Sequence, residues 1–188
     1  MVTERNTHTR LTRRLFLKKS TLVLAGASVA SLPTVSMASI SGKRSLSFYH
    51  THTKQELQAT YAWGKIYNPV ALTRINHYLR DYRSGEMHPI DPRLLDILWT
   101  IQQEVGSKGV YEVISGFRSP KTNGQLRQSS SGVAENSLHM LGKAIDVRFS
   151  GSETDQIQQC AIEMRSGGVG YYAKSDFVHL DTGRYRTW

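Results

Sequence analysis

Ser137-Leu-His139-Met-Leu-Gly142-Lys-Ala-Ile-Asp146 is the stretch on which the reading of this chain turns. It sets a histidine and an aspartate on either side of a glycine, the residue that most readily makes a tight reversal. The run from Ala144 to Phe149 is short and mostly apolar, so it reads as a strand with Asp146 projecting from one face. A second short run, Phe177 to Asp181, carries His179. Two imidazoles and one carboxylate are a common zinc donor set that leaves the fourth tetrahedral position for water. A His–Asp pair at this spacing arises often by chance. Joined by His179, with Asp176 three residues before it, the pair points to a metal centre where short strands converge at one end of a sheet.

Outward from this stretch the chain alternates between two periodicities. Leu46 to Tyr49 reads as an opening strand, and the polar run Thr51 to Gln58 as a turn or edge strand. Val70 to Tyr82 has a helical period with Pro69 in its first turn, and Ser84-Gly85 breaks it. Asp91 caps a clearer helix, opened by Pro92 and striped by Leu94, Leu95, Ile97, Leu98, Ile101 and Val105, which Gly106 ends. Val110 to Ile114 is a strand that delivers Ser115-Gly-Phe-Arg118 into a loop, and Ser119 to Ser137 is polar enough to read as a long loop beside a site. Thr154 to Arg165 reads as a helix stopped by Gly167-Gly168, followed by the strand Val169 to Tyr172. These elements predict one α+β domain, a small antiparallel sheet with flanking helices, and show no internal repeat or linker.

The formal charge of +9, from 24 Lys and Arg against 15 Asp and Glu, would suit a nucleic-acid binder if it were spread over a surface. It is not. Residues 1–38 hold Arg5, Arg10, Arg13, Arg14, Lys18 and Lys19 against Glu4 alone, which leaves 18 basic and 14 acidic residues beyond them, a net of +4. No basic patch interleaved with aromatics follows, so nucleic acid is not the expected partner. Cys160 is the only cysteine and cannot form an intramolecular disulfide; it reads as a small buried hydrophobe.

The concentrated charge belongs to an export signal. Thr12-Arg-Arg-Leu-Phe-Leu-Lys18 resembles the twin-arginine motif, an apolar stretch runs from Ser20 to Met37, and Ser36-Met-Ala38 offers small residues to a signal peptidase. Gly26, Ser28, Ser31 and Thr34 weaken the hydrophobicity of that stretch, so cleavage after Ala38 is expected rather than retention as a membrane anchor. No lipobox cysteine is present. The expectation is a periplasmic or envelope protein exported by the twin-arginine route, with residues 1–38 as signal and 39–188 as the working domain. It is expected to be a monomer.

From about Leu46 onward the sequence resembles the LAS metallopeptidases, which share a fold among lysostaphin-type enzymes, D-Ala-D-Ala peptidases and the hedgehog signalling domain. Within them it is most similar to the YcbK-like murein endopeptidases. The residues that carry the resemblance are Ser115-Gly-Phe-Arg118-Ser, Ser137-Leu-His139, Gly142-Lys-Ala-Ile-Asp146 and Val178-His-Leu-Asp-Thr-Gly-Arg184. The resemblance implies a zinc (Zn2+) peptidase that cuts peptidoglycan stem-peptide cross-links, including those between two diaminopimelate residues, with His139, Asp146 and His179 as ligands. Zinc in such a site acidifies bound water and polarises a carbonyl. Asp176 stands where D-Ala-D-Ala peptidases carry a catalytic Glu, one methylene longer, and would be the general base. Arg118 would stabilise the oxyanion or hold a substrate carboxylate, unless it is a surface ion-pair residue. Asp181 would orient a ligand histidine or simply end a strand, and Ser137 would bond near the site or steady a turn. Lys121 and Arg184 would add positive charge for the stem carboxylates, and of Tyr171 and Tyr172 one would line the cleft and one enter the core. His50, His52, His77 and His88 are read as non-ligands. Two other readings carry the same zinc site: a D-Ala-D-Ala carboxypeptidase, and a zinc-containing peptidoglycan-binding module without peptidase activity.

Overall fold

The computed structural model describes residues 42–106, 108–130 and 132–188. The expected signal segment and its cleavage site lie outside the described residues. Eight strands form one sheet: β1 (Lys43–His50), β2 (Glu56–Trp63), β3 (Ile66–Tyr67), β4 (Tyr111–Ser115), β5 (Ala144–Phe149), β6 (Gly168–Tyr172), β7 (Phe177–Asp181) and β8 (Arg186–Thr187). Among the described residues four helices accompany them: α1 (Pro69–Tyr78), α2 (Pro92–Glu104), α3 (Pro120–Ser129) and α4 (Thr154–Met164).

The strand order is β3-β2-β1-β4-β5-β7-β6-β8. The α+β class holds, but the sheet is larger than expected and mixed. β1 and β4 run parallel, as do β6 and β8, while the other neighbours are antiparallel. A parallel neighbour needs a long crossover, and β2, β3, α1 and α2 together supply it between β1 and β4. β3 and β8, two residues each, are too short to leave a periodic signal.

The pleat sorts the sheet into two faces. Leu46 and Phe48 of β1, Tyr111 and Val113 of β4, Ile145, Val147 and Phe149 of β5, and Val178 and Leu180 of β7 are buried in one cluster with side chains of α1, α2 and α4. The α2 stripe contributes Leu94, Leu95, Leu98 and Ile101, all fully buried. The alternate residues of β5 and β7, Asp146, His179 and Asp181, therefore project from the opposite face. The polar pair Arg44–Asp96, joined by the Tyr61 and Tyr67 hydroxyls, ties β1 and β2 to α2 inside the fold.

Local departures from the sequence reading have local causes. The first helix stops at Tyr78 because the Leu79 carbonyl is taken by the Phe117 amide at 2.8 Å, which pins the Arg118 loop to the helix end. Asp81, just beyond, accepts from the Ser119 amide and the Arg83 amide, both at 3.0 Å. The segment read as a long loop contains α3: Ser119 caps it by accepting from the Thr122 amide at 3.2 Å, and Pro120 opens it. Its polar composition gives no apolar stripe, which is why only the cap marks it.

Candidate active site

β5 and β7 pair so that Asp146 lies directly opposite His179. His139 is brought to them by a single turn of 3₁₀ helix, Leu138–Leu141, which Gly142 ends at φ 62°. The His139 carbonyl accepts from the Arg118 amide at 3.2 Å, so the loop after β4 and the 3₁₀ turn are stitched together over the sheet. The three residues meet on the face of the sheet rather than at its end, because the pleat aims Asp146 and His179 outward at mid-strand.

The three donor atoms form a compact triangle. His139 Nε2 lies 3.2 Å from His179 Nδ1 and 3.3 Å from Asp146 Oδ1, and His179 Nδ1 lies 2.8 Å from Asp146 Oδ1. Ligands about 2.0–2.1 Å from a tetrahedral zinc would be separated by about 3.3 Å, so the triangle has roughly the edges of that coordination shell. The outer ring nitrogens are already committed: His139 Nδ1 donates to the Gly116 carbonyl at 2.8 Å, and His179 Nε2 donates to Asp181 Oδ2 at 3.1 Å. With the outer nitrogens so committed, the neutral rings turn their inner nitrogens' lone pairs towards a carboxylate oxygen, an arrangement that calls for a cation between them. The electrostatics mark the same gap as a place for positive charge, which a proton on His179 Nδ1 fills when no metal does. Burial opposes a charge on His179, yet its bonds to Asp146 and Asp181 prevail and raise its pKa to about 9. Burial likewise opposes the Asp146 carboxylate, and the two histidines hold it far below the usual carboxylate range. Among the described residues these three are the group that could hold a metal ion.

Arg118 enters from the loop after β4. Its guanidinium reaches Ser115 Oγ at 3.3 Å, Asn123 Oδ1 at 3.4 Å and Asp146 Oδ2 at 3.7 Å, and its buried Nε has no partner. All these contacts are long, and burial lowers its pKa, so this cation is under-satisfied and faces the cavity. That cavity, about 520 Å³, is lined by the triad with Arg118, Ser137, Tyr172, Arg186 and Trp188 among others.

The remaining expected site residues divide. Ser137 and Tyr172 line the cavity, while Tyr171 packs partly against the core. Asp181 is buried behind His179. Lys121 and Arg184 are exposed and outside the cavity lining; the arginine that joins Arg118 in lining it is Arg186. Asp176 is not brought to the triad. Its carboxylate accepts from Thr154 Oγ1 at 2.6 Å and lies 3.6 Å from Arg148 Nε, and it is about two-thirds exposed. A left-handed turn at φ 50° just before β7 sends the side chain towards the start of α4 instead. His50 is buried against His52, Tyr78 and Tyr82, away from the triad. Arg186 and Trp188 escaped the sequence reading because a two-residue strand shows no pattern; their only signal was the i, i+2 spacing that puts them on one face.

Comparison with known proteins agrees with this geometry. Residues 38–188 match the family described as "Peptidoglycan L,D-endopeptidase MepK". The Escherichia coli K12 protein of that name is 39% identical over 175 residues, covering 91% of this chain and 96% of the relative, and the Shigella flexneri protein gives the same figures. The Haemophilus influenzae protein, named as a probable member, is 37% identical over 167 residues, covering 88% of this chain and 90% of the relative. With a match spanning the whole described fold and the His-Asp-His triangle at its face, the chain belongs to the MepK family of LAS-type metallopeptidases.

Proposed function

We propose that this protein is a zinc-dependent endopeptidase of peptidoglycan, hydrolysing stem-peptide cross-links that include the bond between two diaminopimelate residues. It would act outside the cytoplasm after twin-arginine export and removal of residues 1–38. The observation that carries the reading is the donor triangle, with both outer imidazole nitrogens locked so that the inner ones face Asp146. The names of the relatives supply the substrate class. No helix among the described residues is long and apolar enough to cross a membrane.

His139, Asp146 and His179 would hold the zinc, which supplies an acidified water and a Lewis acid for the scissile carbonyl. Asp181 holds the His179 ring from behind. Arg118, with an unpartnered buried Nε and long contacts elsewhere, offers donors to a substrate oxygen: the oxyanion of the reacting amide or a stem carboxylate. Asp176, bound to Thr154 and turned from the cavity, is assigned a structural role in place of the general base expected from its position before His179. General-base catalysis requires hydrogen-bond reach, directly or through one water, and this side chain is engaged elsewhere.

That placement also favours a second reading, a zinc-containing peptidoglycan-binding module, since a pure binder needs no base beside its metal. Purified protein incubated with sacculi and cross-linked muropeptides, with zinc content measured on the same sample, separates the two. Dimers converted to monomers by the wild type and not by His139→Ala support the endopeptidase. Bound muropeptides left intact by a zinc-loaded protein support the module, and release of only a terminal D-Ala points to a carboxypeptidase.

A further inference from the structure

Asp181 accepts more hydrogen bonds than a strand-end acid needs. Its side chain is fully buried, and it receives the Gly168 amide at 3.0 Å, the Gly183 amide at 2.8 Å, His179 Nε2 at 3.1 Å, and both terminal nitrogens of Arg186 at 2.7 and 3.1 Å. The Arg186 pair is a two-point fork, which fixes the plane of a carboxylate as a single donor cannot. That plane sets where Oδ2 sits, and Oδ2 sets the orientation of the His179 ring.

The segment that carries Arg186 is built against the site. β8 pairs with β6, and the Trp188 amide continues the ladder by donating to the Val169 carbonyl at 3.2 Å. The Trp188 indole lies 5.3 Å from the His179 ring, centre to centre, with its Nε1 donating to the Tyr172 hydroxyl at 3.0 Å. Arg186 stacks over the same indole at 4.7 Å. β6 makes room for both with glycines: a Cβ on Gly168 would lie 2.2 Å from Arg186 Nη1, and one on Gly170 would lie 2.6 Å from Trp188 Cε2. Side chains there would expel the arginine and the indole from their places behind and beside His179.

We propose that Arg186 is a positioning residue of the metal centre, holding Asp181 so that the His179 ring keeps Nδ1 aimed at His139 and Asp146, with Trp188 as the stop on the ring's open side. This rests on the reading of His139, Asp146 and His179 as zinc ligands. Arg186 does not act as a free cation for substrate, because its fork is spent on Asp181.

The test is zinc affinity of the full-length protein, stripped with a chelator and titrated against a chromophoric competitor. Arg186→Met is expected to weaken zinc binding about 10–100-fold, the range typical of outer partners of metal-bound histidines. Asp181→Asn should weaken it comparably, and the double variant should be no weaker than the worse single, because the two act in series. Arg186→Lys should recover part of the loss, a point charge replacing a fork. Activity on cross-linked muropeptides should return in Arg186→Met at saturating zinc. Wild-type zinc affinity in Arg186→Met overturns the proposal, as do losses that multiply in the double variant or activity that stays lost at saturating zinc. If Arg186→Met does not fold, Arg186→Lys carries the test: a several-fold weakening supports the proposal and wild-type affinity overturns it. His139→Ala runs alongside, and unchanged zinc affinity there would sink the metal-centre reading itself rather than this inference.

Discussion

Arg118 and Asp176 show how residue type and residue placement part company. Both carry charges suited to catalysis, and both stand where the sequence pattern expects them, yet only one faces the cavity. Arg118 is buried with its Nε unpartnered, so Arg118→Met should lower kcat/KM about 10²–10³-fold, as loss of a preorganised donor does, with the fold intact by circular dichroism. Asp176 is spent on Thr154 and Arg148 at a largely exposed position. Asp176→Asn should therefore leave kcat/KM within about tenfold and cost up to about 1 kcal/mol of stability, read from urea unfolding. A fall of about 10²–10⁴-fold would restore it as the general base. Nothing in the Asp-Phe-Val-His spacing distinguishes these cases; the left-handed turn at Asp176 does.

Among the elements, the helices divide the labour between packing and capping. Leu98 is fully buried in the α2 stripe, and Leu98→Ala should cost about 2–5 kcal/mol through lost burial and the cavity left behind. Asn68 caps α1 by accepting from the Val70 and Ala71 amides at 3.0 and 3.2 Å, and Asn68→Ala should cost about 0.5–2 kcal/mol. Urea midpoints at fixed m-value would measure both. The α2 helix was legible because an apolar stripe, a cap and a Pro at its first turn coincide. α3 reads as a loop in the sequence because it packs little apolar surface and holds its place through Ser119, Thr122 and Asn123, whose side chain donates to the Ala134 and Glu135 carbonyls.

At the scale of the whole molecule, buried His50 is one of the groups that link stability to pH. His50 is almost fully buried; burial, then repulsion from His52 and Arg80, lowers its pKa from 6.5 to about 4. The native state therefore binds fewer protons than the unfolded chain between these values. The contribution to stability is complete above pH 6.5 and is lost progressively as the pH falls towards 4, by at most about 3 kcal/mol. Unfolding free energies at pH 7 and 4.5 should fall in the wild type and fall less in His50→Phe, which keeps an aromatic ring among Tyr78 and Tyr82.

The strand carrying Asp146, the strand carrying His179, the α2 helix and the α+β class could all be read from the residues alone, because each rests on local periodicity or a cap. Likewise the grouping of His139, Asp146 and His179 is legible from its chemistry and its pattern. What only the tertiary structure decided is how distant segments meet. The parallel pairing of β1 with β4 and of β6 with β8, the turn of Asp176 towards α4, and the descent of Arg186 onto Asp181 each join groups that no short window contains. Local sequence sets the direction of a side chain relative to its own strand or helix; where that direction leads depends on which elements the core brings alongside.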